Sequence, residues 1–235
     1  MDRQLKKVAK TDEFKEGFWH LIGFGSEHVA DIKKYGAIAL GALVLAGGIY
    51  FYVHHQADVR EQALADAMKV DDATVANNPQ PAAMHFDTEE QKQKALDKAY
   101  TDLATKYHGS QEGAIAALNL AQEAVDKGDM ASAEKQLKDV IDSAPAAYAS
   151  QASLTLADVY RVQKKYPEAE KLLSDLVKNP TVTVSKEEAQ LMLAKVKGKT
   201  DPAAAIKMLE ELRTGRAAIS KAAQSALGEL AGAGQ

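Results

Sequence analysis

The chain has 235 residues, 46% of them hydrophobic and 26% charged, with a formal net charge of −4. That mild acidity argues against a nucleic-acid partner, because recognising phosphates takes a concentrated basic face that displaces their counterions. No cysteine occurs, which excludes disulfides, thiolate metal sites and cysteine nucleophiles.

Residues 1–34 mix both charges. Phe14, Phe18, Leu21 and Ile22 fall at helical spacing with Trp19 beside them, before Gly23 and Gly25 interrupt the pattern. Two readings stay open here, a short amphipathic helix lying in the headgroup layer of a membrane and a loosely ordered tail.

Residues 35–53, YGAIALGALVLAGGIYFYV, contain no charged side chain. A helix of that length is ~28 Å long, close to the ~30 Å hydrocarbon core of a bilayer. We expect a transmembrane helix. A cleaved signal peptide fits poorly, since a long segment precedes the run and the run exceeds the ~7–15 residues of a signal's apolar core. Lys33, Lys34 and Tyr35 at one end and Tyr50, Phe51, Tyr52 and His54 at the other suit the headgroup level. Arg3, Lys6, Lys7, Lys10, Lys15, Lys33 and Lys34 precede the span, whereas Arg60 and Lys69 are the basic residues that follow closely. By the positive-inside rule the amino terminus is cytoplasmic and the bulk of the chain lies across the membrane. Ala37, Gly41 and Gly48 recur on one face, a candidate docking surface for a second membrane helix. Membrane lipid is thus an expected partner.

Residues 54–70 keep helical spacing through Val59, Ala63, Ala67 and Val70, so the span is expected to run on as a polar neck. Asn78-Pro79 and Gln80-Pro81 then mark a loop over 71–88. Thr88 and Gln91 have capping-box spacing for a helix restart. Over 88–107, Leu96, Tyr100, Leu103 and Tyr107 form one stripe, as in the second helix of an incomplete leading hairpin.

Beyond this the chain repeats. Ala133, Ala169 and Ala205 recur every 36 residues, each followed four positions later by a leucine, Leu137, Leu173 and Leu209. Leu120-Ala121, Leu156-Ala157 and Leu193-Ala194 mark a preceding helix in each unit, and Gly128-Asp129, Lys165-Tyr166 and Thr200-Asp201 mark the turn between. Such a period predicts stacked helical hairpins, with alanine where two helices touch and leucine filling the space against the next hairpin. Ser185 with Glu188 supplies another capping box, Asp201 a cap, and Pro202 a first helical position. Residues 216–231 are expected to seal the last apolar face, and the final AGAGQ to fray. The expected class is all-α, a single transmembrane helix followed by a helical-hairpin solenoid. The expected segments are 1–34 cytoplasmic, 35–53 transmembrane, 54–87 neck and linker, and 88–235 repeats.

These residues resemble the tetratricopeptide repeat family, whose helix–turn–helix units carry a leucine and a small residue in the first helix and alanine in the second. The first unit departs from that pattern, since Ala117 and Ala124 stand where the family has tryptophan and tyrosine. The second keeps Tyr160 and Tyr166, and the third is one residue shorter between its helices. The resemblance implies a concave surface lined by the first helix of each unit, with Leu118, Gln122, Asp126, Leu154, Asp158 and Arg161 facing a protein partner.

No catalytic pattern emerges. The histidines, His20, His28, His54, His55, His85 and His108, include no i, i+4 pair for a metal, and Gly23-Phe24-Gly25 lacks the lysine and the strand of a phosphate loop. We expect no enzyme, no cofactor and no metal.

Segment order and the stretch KYHGSQEGAIAALNLAQEAVDKGDMASAEKQLKDVIDSAP also resemble the YfgM-like ancillary subunits of the bacterial Sec translocon. That resemblance, over roughly residues 30–230, implies an inner-membrane protein with periplasmic repeats. It further implies translocon subunits, periplasmic folding factors or exported chains as partners. An adaptor in envelope assembly or cell division, and a regulatory membrane protein, remain alternatives.

Overall fold

Helix boundaries in this chain are written in local chemistry that the computed structural model makes explicit. It describes residues 29–75, 84–215 and 217–232. The aromatic segment holding Phe14, Phe18, Trp19, Leu21 and Ile22, the Pro79–Pro81 stretch and the last three residues lie outside the described residues.

Helix α1 runs unbroken over Val29–Asp71. The neck expected after the span is helical, with no break at His54. Asp72 and Ala73 close the helix through backbone bonds to Met68 and Val70. A two-residue strand β1, Thr74–Val75, then pairs in parallel with β2, His85–Phe86. The loop expected over 71–88 is therefore pinned at both ends.

Helix α2 spans Glu89–Lys106 with Thr88 as its cap, whose hydroxyl accepts from the Gln91 amide at 3.2 Å. The Gln91 side chain reaches back one residue further than a standard capping box, accepting from Asp87 N–H at 3.3 Å. Three hairpins follow, α3 with α4 (Gln111–Asp126, Met130–Ser143), α5 with α6 (Ala146–Val162, Tyr166–Lys178) and α7 with α8 (Lys186–Thr200, Pro202–Arg213). Helix α9, Ala217–Gly232, packs on both helices of the last hairpin. Ser110, Asp129, Ser185 and Asp201 each accept a backbone N–H of the helix they open. The architecture is all-α, one long apolar helix followed by helical repeats.

The repeat period reads out directly in burial. Ala133, Ala169, Ala205, Leu137, Leu173 and Leu209 are all 0% exposed. Each such leucine contributes roughly 1.5–3 kcal/mol by leaving water, and the alanine one turn earlier lets the neighbouring helix approach closely enough to cover it. A main cluster runs from Ala114 to Val196, and a second joins Ala194, Leu209 and Leu212 to Ala223 and Ala226 of the terminal helix. A third gathers Ala67 of α1 with Tyr100, Leu103 and Ala116, flanked by Ala63, Leu64, Leu96 and Tyr107. The end of α1 thus lends α2 the apolar face that a leading hairpin lacks.

By its contacts the chain divides into the units Met1–Val59 and Arg60–Gln235, a cut that falls inside α1. In the first unit the large apolar side chains of residues 35–53 are 57–74% exposed. The helix is long and apolar enough to cross a membrane.

Candidate binding surfaces of the helical array

Leu118 and Leu154, expected to face the groove, are half-buried and pack against the main cluster. The polar residues of that set are turned to the surface and paired within their own helices. Gln122 donates to Asp126 at 2.9 Å on α3, and Arg161 donates to Asp158 at 2.7 Å on α5. On α3 the positions 118, 122 and 126 advance by about 40° per step, so they form one slowly winding row on the side away from Ala121 and Ala124. The whole set carries carboxylates at Asp126 and Asp158 and a guanidinium at Arg161.

Two clefts were not foreseen from the sequence. The larger, about 840 Å³, is lined by Ala104 of α2, His108 of the turn after it, Ala117 and Leu120 of α3, and Lys135 and Asp139 of α4. His108 Nε2 stands 3.0 Å from Asp139 across its edge. The buried side-chain oxygen of Gln136 has no hydrogen-bond partner among the described residues. The sequence held a signal for this cleft, because Ala117 stands where the repeat pattern has tryptophan, and a missing ring leaves space.

The smaller cleft, about 280 Å³, brings Arg161 of α5 together with Lys195 and Lys199 of α7, and with Leu209, Ala226 and Leu230 beneath them. The family resemblance implied Arg161 at the groove but gave no reason to join it to α7, since that contact depends on how the third hairpin stacks.

Between these clefts the hairpins are clamped. Glu134 of α4 accepts from Lys138 at 2.7 Å, from Lys165 at 3.1 Å and from the Tyr160 hydroxyl at 3.1 Å. Both ammonium groups also lie over the Tyr160 ring, at 6.0 and 5.3 Å from its centroid. Hydrogen bonds from Lys138, then Lys165, push the Glu134 carboxyl down to about 2, against an opposing effect of burial. A second clamp joins Glu170 of α6 to Lys197 and Thr200 of α7 at 3.0 and 2.7 Å. At the start of the array, Arg60 of α1 donates to Glu112 of α3 at 3.1 Å.

In the apolar helix, a side chain added at Gly41 or Gly48 meets nothing within 4 Å. These positions and Ala37 fall within about 40° of one another around the axis, and all three are exposed. Among the described residues no group of three or more histidines and carboxylates is placed to hold a metal ion.

The family model of the tetratricopeptide repeat-like domain matches residues 32–203. The chain belongs to that family. The match begins ahead of the apolar run and ends as α8 begins, so it takes in the candidate span as well as the repeats. No curated protein and no solved structure matches the chain. A tetratricopeptide repeat-like domain is an interaction scaffold, so protein partners in general follow from the family.

Proposed function

We propose that this protein is a membrane-anchored, non-enzymatic scaffold of the bacterial envelope. Its amino terminus is cytoplasmic, residues 35–53 cross the inner membrane, and the array stands on the periplasmic side. There it serves as an ancillary partner of the Sec translocon and of periplasmic folding factors, receiving segments of exported chains. The observation that carries the reading is that the helix holding an exposed apolar stretch also supplies, at its far end, a face that packs into the repeats. An apolar surface of that extent has no place in water, whereas lipid satisfies it without a protein partner. The lysines ahead of the stretch supply the orientation.

The row Leu118, Gln122, Asp126, Leu154, Asp158 and Arg161 is the proposed partner surface, and Ala37, Gly41 and Gly48 the proposed docking face for another span. Photo-crosslinkers at Ala37 and Gly41 in intact membranes test the second point. The expected result is adducts with translocon subunits, and adducts with lipid alone would remove the Sec assignment. Orientation has a separate test. Protease supplied from the periplasmic side should cut near Pro79–Pro81, and cutting confined to residues 1–34 would reverse the topology.

A further inference from the structure

The cleft of about 840 Å³ opens on a side of the first repeat that the proposed partner row does not use. At about 100° per residue, Ala117 and Leu120 lie roughly 100–180° around α3 from Leu118, Gln122 and Asp126. The apolar part of the lining is Ala104 of α2 with Ala117 and Leu120 of α3, and all three are half-buried rather than closed off. Ala117 stands where the repeat pattern has tryptophan, and Ala124 where it has tyrosine. Ala124 is only 8% exposed, so its neighbours have closed over it. The space of the absent tyrosine is filled, and that of the absent tryptophan lies open.

Lys135 and Gln136, both in the lining, lack partners within the folded chain. Lys135 is exposed and makes no ion pair among the described residues, whereas Lys138, three positions on, is held by Glu134 at 2.7 Å. The side-chain oxygen of Gln136 is shielded from solvent and accepts no hydrogen bond among the described residues, a costly state for an acceptor. His108 and Asp139 already satisfy each other at 3.0 Å.

We propose that this cleft takes a tryptophan side chain presented by a partner polypeptide. The inference rests on the scaffold reading above and adds to it a second contact, away from the row. An indole meets every feature of the cleft. Its ring covers Ala104, Ala117 and Leu120, where the repeat pattern itself accommodates a ring. Its electron-rich face suits the Lys135 ammonium, and tryptophan is the best of the aromatic side chains for that contact. The chain already places Lys138 and Lys165 over Tyr160 in this way. The indole N–H only donates, and it supplies the donor that Gln136 lacks once that side chain turns toward the bound ring. Leucine would cover the apolar lining and leave Lys135 and Gln136 as they are, and phenylalanine would leave Gln136 without a donor.

The test uses the full chain in lipid nanodiscs and an acetylated Gly-Trp-Gly amide whose indole carries fluorine, followed by fluorine NMR. Unlabelled competitors carry tryptophan, tryptophan methylated at the indole nitrogen, or leucine at the centre. Tryptophan should compete at least about fivefold more strongly than leucine and about threefold more strongly than its methylated form. K135A should weaken the fluorinated peptide roughly two- to fivefold. Q136L should erase the difference between tryptophan and its methylated form, and D126K, on the row, should leave binding unchanged. A117W should fill the cleft from within, raising the melting point of the array and abolishing binding. A lowered melting point for A117W would overturn the inference, because the space would not accept a ring. Equal competition by tryptophan and leucine would overturn it as well, by removing the aromatic chemistry. Binding lost in D126K and kept in A117W would move the site to the row, overturning the cleft and leaving the scaffold reading standing. Absence of binding to the folded chain would overturn the cleft too, while protein adducts from Gln122 and Asp158 in native membranes would still uphold the scaffold.

Discussion

Leu137, Leu173 and Leu209 are 0% exposed, whereas Leu40, Leu43 and Leu45 are 65–70% exposed. The residue type is the same and its fate is opposite. In the array each leucine follows an alanine by four positions, and that small residue lets a neighbouring helix close over it. Around Leu43 the small residues Gly41, Gly47 and Gly48 bring nothing close, because a side chain added to any of them meets open space. A leucine in a repeat is thus explained by its protein neighbours, and a leucine in the apolar helix by the membrane span proposed above.

Truncation is the sharpest way to break that comparison. Leu137→Ala or Leu173→Ala should destabilise the array by roughly 2–5 kcal/mol, whereas Leu43→Ala should leave its unfolding midpoint unchanged. Denaturant titration of the detergent-solubilised chain, followed by circular dichroism, checks both. The converse substitution is Leu43→Arg. It should cost about 3 kcal/mol in membrane insertion and move the chain into the alkali-extractable fraction, again without altering the array's melting.

A steric prediction comes next. A Cβ at Gly113 would stand 2.2 Å from the Tyr107 carbonyl oxygen, so Gly113→Ala must push α3 from the turn that precedes it. The expected loss is roughly 1–3 kcal/mol, while alanine at the open Gly47 should cost the array nothing. Glu134→Gln should cost about 1 kcal/mol at neutral pH, by weakening the clamp on Lys138, Lys165 and Tyr160. Since the folded carboxyl is depressed to about 2, its contribution is fully present above the ordinary glutamate value near 4.5. It is lost as pH falls from there through about 2. Thermal melts should separate the variant from the parent at pH 6 and bring them together near pH 2. The smallest effect concerns the turn of the second hairpin, where Lys164 holds φ at 59°, the conformation that Gly128 supplies in the first at 76°. Lys164→Gly should raise stability by roughly 0.5–1 kcal/mol, because glycine adopts that region without steric penalty. A lowered melting point would mean the lysine side chain matters there.

Most of the fold was legible, for a physical reason. Alanine and leucine at a fixed period can be read in one dimension because a stacked array places each unit only against its neighbours. Thr88, Ser185 and Asp201 announced their helix starts for the same reason, as caps act within four residues. The two clefts depended on how several helices stack on one another, which spacing within a single helix does not record. Ala117 did mark the larger one, by standing where a tryptophan was expected, yet an absent ring does not say which surfaces then face each other. The meeting of Arg161 with Lys195 and Lys199 left no local trace at all. The contribution of α1 to the leading hairpin was half visible, since Ala63 and Ala67 kept helical spacing but nothing in that spacing named Tyr100 and Leu103 as their neighbours.

The central claim is that one chain carries a lipid-facing helix and a protein-facing array. Site-specific photo-crosslinking from Leu43, Gln122 and Asp158 of the full chain in its native membrane tests it most directly. The account predicts lipid adducts from Leu43 and adducts with other proteins from Gln122 and Asp158. Protein adducts from Leu43 alone, with none from the array positions, would contradict it.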